Sequence, residues 1–230
     1  MNEAAFLISI RDSEKVLKDL GLLKKKNYIN SKQGTYRKFS DDFLKVARTG
    51  TYFDIYRCAM ENDDYDFLLE DGSFFQFSYD MEERKENIRM AYYPSICNLE
   101  YREFLMEQFG IDESECGADY IELYQQYVIE QEPENVTPMR YDYNERLYKE
   151  MIHSAAHFHI GYEENIRIPV EKRIKPVLFT KMAIEFFYYE KWKKVIKAGD
   201  ETLFYANCDM EELQAEFFTS KDKKIPYIKL

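Results

Sequence analysis

Between Phe67 and Phe77 the chain reads FLLEDGSFFQF, two apolar runs around an Asp-Gly pair. Asp-Gly tolerates the positive φ that a tight hairpin turn needs, so the segment predicts two antiparallel strands turning at Asp71-Gly72. An isolated hairpin is marginal in water, so further strands or helices must cover it. A third strand is predicted over Ile88–Tyr93, stopped by Pro94, and three short ones over Met139–Tyr143, Ala156–Gly161 and Ile166–Val170.

Helical spacing fills the flanks. Asp12 or Ser13 can cap a short helix with Val16, Leu17 and Leu20 on its apolar face and Gly21 as its stop. Ser40 caps a run carrying Phe43, Val46 and Ala47, and Tyr52–Asn62 places Ile55, Tyr56 and Ala59 on one stripe. Glu100–Phe109 and Ala118–Glu130 are helical, and the acidic stretch up to Pro138 reads as a loop. A long helix is predicted over Val177–Lys197, with Pro176 at its start, and a last one over Met210–Phe218. The class is α+β, an antiparallel sheet flanked by helices. No Gly/Ser/Pro-rich linker divides residues 1–230, so one domain is expected: mainly helical over 1–62, sheet-containing over 66–170, helical over 177–218.

Hydrophobic residues make up 45%, with 20 Tyr and 17 Phe, which excludes a disordered chain. So many tyrosines suggest rings that pack inside while their hydroxyls reach water. Cys58, Cys97, Cys116 and Cys208 are widely spaced and form no CxxC pair, so reduced thiols in a cytoplasmic protein are expected. The N-terminal MNEAAFLISI lacks the features of a signal peptide, and no run is long enough to span a membrane. Net charge is −11 but segregated, +5 over residues 1–50, −19 over 51–165 and +3 over 166–230. The acidic middle is unsuited to tracking nucleic acid; the basic ends could touch nucleic acid, fold back on the middle, or meet a protein partner or second copy.

All three histidines lie in one heptapeptide, His153-Ser154-Ala155-Ala156-His157-Phe158-His159. If residues 156–161 are extended, His157 and His159 share one face and Phe158 and Ile160 the other. Arg140 and Asp142 alternate against Met139, Tyr141 and Tyr143, and Arg167 against Ile166, Ile168 and Val170. Were the three strands neighbours, Arg140, Asp142, His157, His159 and Arg167 would share one side of a sheet, with His153 at its edge. Three readings are open. The cluster is a divalent-metal site drawing on His153, His157 and His159 with Asp142. It is an acid–base site, with Asp142 orienting a histidine while Arg140 and Arg167 steady an anion. Or it is a buried polar network beneath the 177–197 helix.

Other patterns are weaker. Glu83-Arg84-Lys85, with Asp71 or Asp80 upstream, matches half of a restriction-type nuclease site, but MEERKEN reads as a turn. Glu61, Asp63, Asp64 and Asp66 lack EF-hand spacing and read as a solvated acidic loop. No phosphate-cradling glycine loop or nucleophile elbow is present.

The run HSAAHFHIGYEENIRIPVEKRIKP resembles the marked segment of a bacterial family known as domain of unknown function 2290, whose pattern runs His-Pro-x-Ser-His-x-His-Ile-Gly, then Arg-Ile-Pro-Val, then Pro. His153, His157, His159, Ile160, Gly161, Arg167, Ile168, Pro169, Val170 and Pro176 fit it, and YDFLLEDGSFFQF, AYYP and MRYDY are similar to other segments of that family. Ser154 and Ala156 stand where the pattern has Pro and Ser, which removes a serine from the second position. The resemblance implies no settled activity. Two expectations follow. The first is an accessory subunit of a bacterial multi-protein system, such as anti-phage defence, holding an ATPase or nuclease partner. The second is a small metal-dependent hydrolase or nuclease built on His157 and His159.

Overall fold

The Asp-Gly hairpin forms the middle of a large sheet in the computed structural model, which describes residues 1–27, 35–36, 39–96, 101–115, 117, 119–130, 136–161, 166–199 and 210–230. Helix α1 (Glu3–Asp19) leads into β1 (Leu23–Lys26) and β2 (Thr35–Tyr36), then α2 (Asp41–Thr49) and α3 (Tyr52–Glu61). Strands β3 (Phe67–Leu69), β4 (Phe74–Glu82) and β5 (Lys85–Tyr93) follow, with α4 (Tyr101–Phe109) and α5 (Asp119–Glu130) packed on each other after them. Next come β6 (Met139–Asn144), β7 (Ala156–Ile160), β8 (Ile168–Pro169) and β9 (Lys172–Ile174). Helices α6 (Pro176–Phe187) and α7 (Tyr189–Lys197) and strand β10 (Met210–Glu212) complete the order. The fold is α+β. The sheet runs β1-β3-β4-β5-β6-β7-β8 with β2 also paired to β4, and its ladders are antiparallel.

Alternation assigns the two faces. Phe75, Phe77, Ile88, Met90, Tyr92, Tyr141, Tyr143 and Phe158 point to the face covered by α1 and α6, where Phe6, Leu17, Phe179 and Ile184 pack against them. The opposite face is apolar at one end only. There Phe74, Ala91 and Tyr93 meet Phe43, Tyr52, Ile55 and Ala59 of α2 and α3. Beyond that end the same face turns polar.

Local signals explain most boundaries. Gly72 at φ +83 and the Leu69–Ser73 backbone bond close the hairpin. Ser40 caps α2, and Thr51 with Asp54 forms a capping box on α3. Helix α1 starts ten residues before the expected site, because the Asn2 side chain accepts from Ala5 N–H while Phe6 and Ile10 extend the buried stripe. Its end is as expected: Gly21 at φ +59 lets Leu22 N–H reach the Leu17 carbonyl and its own N–H reach that of Lys18.

Five expectations are corrected. The 177–197 helix is two helices, broken at Tyr188 (φ −123°, ψ 43°), whose hydroxyl donates to Asp71 and accepts from Tyr92. Met210–Glu212 is a strand, not a helix, held to β9 by a ladder and by the Arg173–Glu211 ion pair. Asp64 and Asp66 are buried rather than solvated. Asp66 accepts from Tyr36 and from Phe77 N–H, while Asp64 accepts from Ser40 N–H and hydroxyl and so anchors the start of α2. Tyrosine hydroxyls likewise find partners inside: Tyr141, fully buried, donates to the Lys172 carbonyl. In MEERKEN only Glu83 and Arg84 turn, since Glu82 and Lys85 already pair. Cys58 is a buried free thiol, whereas Cys97, Cys116, Cys208 and residues 162–165 lie outside the described residues. No helix among the described residues is long and apolar enough to cross a membrane.

Candidate functional site

The polar end of the open face forms the floor of a cleft of about 730 Å³. Register builds that floor row by row. Ser78, Arg89, Asp142 and His157 lie side by side across β4 to β7; the next row holds Gln76, Ala91, Arg140 and His159. On the other side Asp80, Asn87 and Asn144 continue the floor. Phe39, Leu44 and Arg48, around and within α2, form a wall, and His153 and Arg167 complete the lining. The cleft thus brings together every site residue expected from the sequence. Of the three readings, the one that sets the cluster beneath the 177–197 helix is corrected, because α6 covers the opposite face.

Asp142 is the hub. Its Oδ2 stands 3.0 Å from Arg140 Nε, 3.3 Å from His159 Nε2 and 4.0 Å from His157 Nε2. Burial alone would raise the Asp142 pKa, but the His159 hydrogen bond and the guanidiniums of Arg140 and Arg89 hold it well below the usual carboxylate range. Its Oδ1 is buried and has no hydrogen-bond partner.

Both strand histidines are 2% exposed. The His157 ring is fixed from behind, where Nδ1 lies 3.1 Å from the Ser154 carbonyl. A carbonyl only accepts, so Nδ1 carries the proton and the Nε2 lone pair of the neutral ring faces the cluster. Burial pushes the His157 pKa down to about 4, against the opposing pull of the Asp142 carboxylate and with help from His159 and His153. His159 Nδ1 is buried without a hydrogen-bond partner. His153 packs edge-on against His157, ring centroids 5.1 Å apart, and burial with the charge of Arg167 lowers its pKa.

One ligand atom from each of Asp142, His157 and His159 lies within 4.8 Å of the others, the only such group of three among the described residues. Two imidazoles and a carboxylate on neighbouring strands are donors suited to zinc or another divalent transition metal. The Ser154 carbonyl supplies the support from behind that a metal-binding histidine commonly has.

Sequence reasoning missed Arg48, Asn87, Arg89 and Asn144, and placed Asp80 only in a weak nuclease-type pattern rather than with the histidines. Arg89 and Asn87 were within reach, because Ile88, Met90 and Tyr92 alternate against them. Arg48 was not, since nothing local says which end of the sheet α2 crosses.

An α+β sheet with one half-open face and a His/Asp/Arg cleft is therefore the class of structure at hand. The profile of one family, described as uncharacterized conserved protein (DUF2290), matches residues 22–230, and the chain belongs to that family. No curated protein matches the chain. No solved structure matches it either.

Proposed function

We propose that the chain is a metal-dependent phosphoester hydrolase whose centre is Asp142, His157 and His159. The observation that carries this reading is the pairing of the inward His157 Nε2 lone pair with an ionised, half-partnered Asp142 carboxylate. Two electron-rich groups facing one space call for a proton or a cation between them. A bound divalent ion supplies Lewis-acid polarisation of a phosphoryl oxygen and a water of lowered pKa. The chain's own residues do the rest. Asp142, His157 and His159 hold the ion, and Ser154 orients His157. Arg140 and Arg167 meet negative charge on the reacting group.

The test is elemental analysis of chelator-treated, zinc-reloaded protein together with hydrolysis of bis(p-nitrophenyl) phosphate. About one equivalent of metal, with both metal and activity lost in a His157→Ala/His159→Ala variant, is the expected result. Wild-type hydrolysis by that folded variant rejects the reading.

A partner-binding role, in the accessory-subunit sense, is the second reading. One observation favours it: Leu147, Met151 and Ile152 are 55%, 45% and 82% exposed within the single loop between β6 and β7. Co-expression with neighbouring genes and size-exclusion chromatography test it, and a chain that never shifts in mass rejects it.

A further inference from the structure

The metal-binding group uses three of the polar residues in the cleft and leaves a larger pattern unassigned. Four arginines line the cleft, each from a different element: Arg48 from α2, Arg89 from β5, Arg140 from β6, and Arg167 just ahead of β8. Against them the lining offers two carboxylates, Asp80 and Asp142. Counting these arginines against these carboxylates, the cleft carries a surplus of two positive charges within a chain of net charge −11. Guanidinium forks match phosphate oxygens in pairs, and four of them lining one cleft suit a phosphoryl group better than a lone carboxylate.

Size and surroundings narrow the ligand further. A cleft of about 730 Å³ is of small-molecule dimensions, within the usual range of about 300–1,000 Å³. Strands β4 to β7, which form the floor, belong to the stretch 51–165 whose charge is −19. A nucleic-acid strand would carry phosphates beyond the cleft along a chain of net charge −11. A compact phosphoester presents its charge only inside the cleft. Phe39 and Leu44 on the wall give the uncharged part of such a molecule an apolar surface.

We infer that the substrate is a small phosphorylated molecule of nucleotide size, its phosphate held by Arg48, Arg89, Arg140 and Arg167. The inference builds on the proposed hydrolase centre by naming what that centre acts on.

Isothermal titration of the non-hydrolysable phosphonate analogue of adenosine 5′-monophosphate into the full chain tests it, run once with zinc and once in chelator. Arg48 and Arg167 are exposed, so Arg48→Ala/Arg167→Ala leaves the packed interior intact. Saturable one-to-one binding in both conditions is expected, weakened about tenfold or more in the double variant while zinc stoichiometry is unchanged. A single-stranded 20-nucleotide DNA binding more tightly than the mononucleotide overturns the inference, as does a double variant that binds the mononucleotide as wild type does. The two readings fail separately. Nucleotide binding without any bound zinc supports the substrate class and removes the metal centre. Bound zinc without nucleotide binding removes the substrate class alone.

Discussion

Across the β6–β7 ladder, Asp142 pairs with His157 in register, and His157 Nε2 stands 4.0 Å from the Asp142 carboxylate. The gap is too long for a hydrogen bond and short enough for both atoms to reach one ion. Asp142→Asn keeps the shape and removes the charge. We expect zinc affinity, followed by competition with a chromogenic chelator, to fall about 100-fold or more, since even the residues behind metal ligands are worth about 10–100-fold. Undiminished affinity would exclude Asp142 as a ligand.

Asp222 is 2% exposed and accepts from Tyr148, Met151 N–H and Thr219, tying the C-terminal segment to the loop that ends at His153. Burial opposes its ionisation, but the bonds from Met151, Tyr148 and Thr219 win and lower its pKa. The unfolded chain therefore takes up this proton first. The stabilisation is present above the ordinary aspartate value and is lost as pH falls through the lowered one. Asp222→Asn should cost about 2–3 kcal/mol in urea unfolding at pH 7, and the gap from wild type should narrow near pH 3. An unchanged gap would show that the carboxylate charge is not what matters.

Glu83 and Arg84 turn the β4–β5 hairpin with φ of +52° and +64°, both left-handed and neither a glycine. The left-handed region costs a side chain about 1–2 kcal/mol per residue. Glu83→Asn/Arg84→Gly should therefore raise stability by about 1–2 kcal/mol, visible as a higher melting temperature, with zinc binding unaffected. A lower melting temperature would mean that the two side chains stabilise the turn.

Phe179 of α6 is fully buried against Phe75 and Phe77, with ring centroids 6.3 and 6.5 Å away. Phe179→Ala should cost about 3–5 kcal/mol through lost burial and a cavity. Because α6 lies across the sheet from the cleft, zinc stoichiometry of the folded fraction should hold, which separates core damage from site damage.

Period-two alternation made the floor legible: it set His157, His159, Asp142 and Arg140 on one face before any pairing was known. The Ser40 cap did the same for α2, and the stripe of Ile55, Tyr56 and Ala59 for α3. What failed had long-range causes. Helix α1 was entered late because a cap at Asn2 looks like nothing until Phe6 and Ile10 find a sheet to pack on. The break at Tyr188 comes from a hydroxyl tied to Asp71 more than a hundred positions away, and β10 exists because β9 offers it an edge. The cleft itself, a gap between α2 and the sheet, belongs to no single segment.

The sheet is shared unequally by its two jobs, and this divides the molecule's evolutionary freedom. Asp142, His157 and His159 sit on two adjacent strands whose spacing is set by backbone ladders, so the trio tolerates little drift. Arg48, by contrast, sits on a nine-residue helix whose start is pinned through Ser40 to Asp64. Substitutions along α2 can reshape the cleft wall without touching its floor. On the proposed reading, relatives with the same floor and a recast second helix would keep the reaction and change its substrate.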